Sequence, residues 1–241
     1  MANQLDLEEQ EQLDQLKHFW KQYGNLITWA LILVLGLFAS WNFYQYWQRS
    51  QATQAAAMYD EVERVVKSSD ASKIDRVFAD MKDRFSSTTY AQQAGLLVAK
   101  QYYSVGNVEA SKDALKWVAN QSSDPGYQAI AKLRLAGVLM DAKAFDEALT
   151  QLNSAHPASF DALVADRKGD ILLLQGKKTE AIAEYEKAFK SFESRTDYRK
   201  LVEVKLNSLG IDPQLTGVAG ADVKNKVTAP AVVSSASEGQ K

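Results

Sequence analysis

Hydrophobic positions follow two different patterns along this chain, and the change between them divides it. From Gln22 to Gln48 no charged side chain occurs, and Leu26 to Tyr46 is almost wholly apolar, without any period. After Arg49 apolar residues recur every three or four positions, in blocks of roughly 12 to 17 residues separated by short polar turns. That spacing predicts consecutive amphipathic helices, and strand-like alternation is absent. The fold class expected is all-α.

The apolar stretch predicts a transmembrane helix. At ~1.5 Å per residue, residues 26–46 reach roughly 30 Å, the thickness of a bilayer hydrocarbon core. Aromatic residues gather at both ends, with Phe19, Trp20, Tyr23 and Trp29 on one side and Trp41, Phe43, Tyr44, Tyr46 and Trp47 on the other. Their amphipathic rings suit the two headgroup interfaces. A buried core helix rarely runs so long without charge. A cleaved leader fits poorly, because the preceding segment carries Asp6, Glu8, Glu9, Glu11 and Asp14, and the stretch ends in bulky aromatics. An uncleaved signal anchor is the reading. Lys17 and Lys21 before the span, against Arg49 after it, favour a cytoplasmic N-terminus. For the leader, the leucines at 5, 13 and 16 with Trp20 have helical spacing, while an unstructured tail stays equally open.

The helical part is self-similar. Gly169, Leu172, Gly176, Ala181, Tyr185 and Ala188 give the small, large and turn-glycine order of a tetratricopeptide repeat. Small residues sit where two antiparallel helices cross closely, and large ones fill the space beside them. Ala136, Leu139, Ala148, Leu152 and Ala155 repeat the order one unit earlier. Ala99, Tyr102, Gly106, Ala110, Ala114 and Trp117 repeat it once more, with one residue fewer in the turn. Residues 52–67 and 72–85 read as a decayed pair before these, and Thr196 to Leu209 as a closing helix that ends at Gly210. One unit alone would look like any helical bundle; three in near register predict an α-solenoid.

The expected organisation is an N-terminal cytoplasmic tail over 1–25, a transmembrane helix over 26–46 and a tetratricopeptide-like domain over 47–211. From Ile211 onward glycine, serine, alanine and valine follow one another without periodicity, which predicts a flexible tail over 212–241. Ala229 to Val233 is the candidate docking peptide within it.

Chemistry is hard to find in this chain. Net charge is -2, which points to neither nucleic acid nor an acidic substrate, and there is no cysteine. His18 and His156 are the two histidines; His156 precedes Pro157 and reads as a solvated turn residue. No phosphate loop, nucleophile elbow or paired-histidine spacing occurs, so no catalytic, cofactor or metal site is expected. A binding face is. The first helix of each pair lines the inner face of such a stack. In the register above, that face receives Leu96, Lys100, Tyr103 and Ser104, then Leu133, Gly137, Met140 and Asp141, then Asp166, Asp170, Leu173 and Leu174. About half of them are expected to belong to the core instead.

An acidic leader, a single span, degenerate helix pairs and the stretches Trp20–Gly24 and Gly169–Lys177 resemble the YfgM family, the ancillary subunit of the bacterial SecYEG translocon. The resemblance runs from the leader through Gly210. It implies an inner-membrane protein with its repeat domain in the periplasm. It also implies association with the translocon and with a membrane-anchored periplasmic chaperone of the prolyl-isomerase type, in the service of exported, unfolded polypeptides. A regulatory scaffold that sequesters a signalling protein through the acidic leader is the alternative.

Overall fold

The computed structural model describes residues 7–193 and 196–214, and among them it contains helices and turns but no strand. The first helix, α1, runs from Leu7 to Ser68 without a break. Its 62 residues span on the order of 90 Å. The leader from Leu7 onward, the apolar stretch and the first helix of the first pair are therefore one rod. Between Trp47 and Ala55 the sequence offers neither proline nor glycine, so nothing stops a helix there. Within the apolar stretch every large hydrophobic side chain from Leu31 to Phe43 stands more than half exposed, which suits lipid. From Ala55 the same helix becomes part of the core, burying Ala55, Val62, Val65 and Val66.

Among the described residues seven further helices make four pairs with α1: α2 (Ala71–Phe85), α3 (Thr89–Ser104), α4 (Val108–Gln121), α5 (Pro125–Asp141), α6 (Phe145–Asn153), α7 (Asp161–Leu174) and α8 (Lys178–Ser191), followed by α9 (Asp197–Ser208). Each helix packs on its sequence neighbour, and α1, α3, α5 and α7 also pack on one another in turn. Contacts limited to near neighbours define a solenoid. The starts of α2, α3, α4 and α5 are set by side-chain caps. Asp70, Thr88, Asn107 and Asp124 each accept a backbone N–H of the first turn that follows, and Pro125 takes the first helical position.

The stops of α3, α5, α7 and α9 share one motif. After each a residue turns left-handed: Gly106 (φ 81°), Lys143 (φ 60°), Gly176 (φ 77°) and Gly210 (φ 85°). The next N–H then reaches back to the carbonyl of Tyr102, Leu139, Leu172 or Leu206, at 2.8 to 3.1 Å. Two consequences follow. The turn after α3 has the same hydrogen bonds as the turn after α7, so it is not one residue shorter. Ser111, and not the expected Ala110, occupies the place of Ala148 and Ala181; it is 1% exposed, while Ala110 sits half-buried. Ser111 meets the cost of burial by donating to the carbonyl of Ala99 at 2.8 Å. And α9, expected as a closing helix, carries the stop of a first helix and takes that place in an unfinished pair.

Close crossings fall on glycine. A Cβ on Gly169 would stand 2.5 Å from the Tyr185 ring, and one on Gly95 would stand 2.5 Å from Val118. Ala155, by contrast, lies exposed in the loop after α6. Trp117 leaves its expected packing position to meet Phe78 of α2 edge-on, ring centres 5.6 Å apart. Beyond α9 the chain stays attached as far as Gln214, whose side chain donates to Glu203 at 3.2 Å, and Pro213 is buried. The segment Ala229–Val233 lies outside the described residues.

Candidate functional site

A cleft of about 360 Å³ opens between α3, α5 and α7. Its floor comes from the small and apolar positions that the helix register turns inward: Ala99 from α3, Leu115 from α4, Leu133 and Val138 from α5. Gly137 deepens it, since a Cβ there would meet no atom within 4 Å. The rim is polar. Lys100, Arg134 and Arg167 stand on α3, α5 and α7, one cation from each successive first helix. Tyr103 donates its hydroxyl to Asp141, binding α3 to α5 along the same edge. That bond, and the carboxylate's charge, raise the phenol above its ordinary range. The volume lies near the lower end for a binding pocket and admits one or two large side chains.

A family model described as a tetratricopeptide repeat-like domain matches residues 17–211, taking in the apolar stretch and the helix pairs together. A protein of Neisseria gonorrhoeae named ancillary SecYEG translocon subunit is 32% identical over 204 residues, covering 84% of this chain and 98% of its own. Proteins of the same name from Haemophilus influenzae and Escherichia coli are 32% and 27% identical, again over 84% of this chain, covering 98% and 97% of their own. The chain belongs to the ancillary SecYEG translocon subunit family. No solved structure matches it.

In this member of the family, the residues expected on the inner face part into four groups, and Ser104 lies exposed outside the cleft. Lys100, Tyr103, Leu133, Gly137 and Asp141 meet in the cleft. Leu96 is buried in the core, and Met140 is half-buried against it. Leu173 and Leu174 are exposed at the end of α7, outside the cleft.

Asp166 and Asp170 go elsewhere. Asp166, 1% exposed, accepts from Lys205 at 2.8 Å and from Tyr198 at 2.9 Å, both on α9. Asp170 accepts from Lys205 at 2.7 Å and from Tyr185 at 2.8 Å. The arriving α9 closes over Asp166 and engages the half-buried Asp170, so both carboxylates join elements of the fold. Burial and these carboxylates push the Tyr185 phenol far up and that of Tyr198 to about 12.

His156 is likewise no solvated turn residue. Its ring lies half-buried, with Nδ1 2.9 Å from the Ser154 carbonyl and Nε2 3.1 Å from Asp161, which ties the loop to the start of α7. Sequence reasoning missed Arg134 and Arg167, each of which reads locally as one more solvated charge. Only stacking brings them to one rim.

Proposed function

We propose that this chain is a non-catalytic docking subunit of the bacterial translocon, anchored in the inner membrane with its helix pairs in the periplasm. One observation carries the reading: the exposed apolar rod and the repeat stack are the same helix, so whatever sits in the cleft is held at a set place beside the span. Relatives named ancillary SecYEG translocon subunit, matched over 97% to 98% of their own length, support the address. The partner implied by the family resemblance is a membrane-anchored periplasmic chaperone of the prolyl-isomerase type, which would meet exported polypeptides as they emerge.

Photo-crosslinkers test the two contacts separately. Placed at Phe38 or Asn42, they are expected to join translocon subunits; placed at Tyr103, the chaperone. Adducts to neither, with the chain at its normal level, would sink the reading. Because the chain has no cysteine, Gln15→Cys and Ser208→Cys provide single labels for topology. A membrane-impermeant maleimide added to spheroplasts should modify Ser208→Cys alone. Labelling of Gln15→Cys instead would reverse the orientation.

A further inference from the structure

Resting on the reading that a partner docks in this cleft, we propose that the docked segment is acidic and inserts a large apolar side chain between its negative charges. The floor supplies half of the case. Ala99, Leu115 and Leu133 line the empty space beside Gly137, which has room for a leucine or an aromatic ring.

The rim supplies the other half. Lys100 and Arg167 form no ion pair or hydrogen bond among the described residues, and Arg134 makes one long bond, 3.4 Å, to the Leu96 carbonyl. Among the residues lining the cleft these three cations face one anion, Asp141, whose carboxylate already receives the Tyr103 hydroxyl, although Arg167 also reaches towards Tyr198 beside Asp166. The whole chain nearly balances its charges, 28 basic against 30 acidic, so this excess is local. Cations left unpaired around an apolar pocket attract carboxylates and strengthen as water is excluded. Their placement, one per helix across three helices, suits an extended segment crossing the stack.

The test uses the full chain in lipid nanodiscs and a short labelled peptide of glutamate, leucine and phenylalanine, followed by fluorescence anisotropy. A second peptide has every glutamate replaced by glutamine. The acidic peptide should bind about tenfold more tightly than the neutral one, and lose that advantage as salt rises. Lys100→Glu and Arg167→Glu should each weaken it roughly three- to tenfold. Gly137→Leu should abolish binding by filling the pocket while leaving the melting curve in place, since its Cβ meets nothing.

Equal affinity for both peptides overturns the proposal, as does acidic-peptide binding unchanged in Gly137→Leu. The crosslink at Tyr103 then separates the two levels of inference. An adduct through an acidic segment of the partner supports both. An adduct through a neutral or basic segment keeps docking and overturns the acidic preference. No adduct at all removes the docking reading, whatever the peptides do.

Discussion

The ammonium of Lys205 lies 2.8 Å from a carboxylate oxygen of Asp166 and seals it from water across the gap between α9 and α7. A second carboxylate, Asp170, shares the same ammonium at 2.7 Å. One buried and one half-buried anion on one cation make the last unfinished pair depend on a single side chain. Lys205→Met should cost about 3 kcal/mol, because it leaves a buried charge without its partner. Urea unfolding reads the loss, and adding Asp166→Asn and Asp170→Asn should restore part of it. A loss well under about 1 kcal/mol would show that α9 holds by its apolar face alone.

Alkaline pH should loosen the same region. The Tyr198 phenol is pushed up to about 12 from its ordinary 10.0 by burial, then by the charge and hydrogen bond of Asp166. A raised folded value means that the unfolded chain loses its proton first. The contribution is whole below pH 10 and is lost as pH climbs towards about 12. Urea midpoints should therefore hold steady up to about pH 9.5 and fall above it. Tyr198→Phe should fall less steeply than the unaltered chain; equal slopes would exclude this phenol as a source.

Gly169 allows α7 and α8 to cross closely against the Tyr185 ring, and a methyl group there has nowhere to go. Gly169→Ala should destabilise by about 1–3 kcal/mol despite the better helix propensity of alanine. Thermal unfolding measures it. A stabilised variant would mean that Tyr185 moves aside freely.

Lys143 takes a left-handed conformation that its three counterparts give to glycine, at φ 60°. Its side chain is exposed. Lys143→Gly should thus stabilise by roughly 0.5–1 kcal/mol, the relief of a strained backbone less the entropy glycine adds to the unfolded chain. A lower melting temperature would count against strain at this turn.

Periodicity made the helix pairs legible, because packing repeats every three or four residues and turn glycines punctuate it. The exposed apolar helix was legible for the opposite reason, its lack of any polar face. What remained hidden depends on distance along the chain. Asp166 and Asp170 share a helix face that reads as open, and the lysine that closes it lies 39 and 35 residues away. Nothing local announces such a partner. Ala110 and Ser111 are adjacent small residues, and a polar serine looks the worse core candidate until its hydroxyl finds the Ala99 carbonyl. The end of the apolar stretch likewise marks a change of surroundings, and conformation passes through it untouched.

An unbroken helix transmits rotation as well as height. Each residue added to α1 between Trp47 and Ala55 would swing the repeat stack by about 100° around the rod and lift it by ~1.5 Å. A partner that grips one side of the span therefore fixes the compass bearing of the cleft on the other side of the headgroups. With a flexible tether that bearing would be free; here it is written in the number of residues from Trp47 to Ala55.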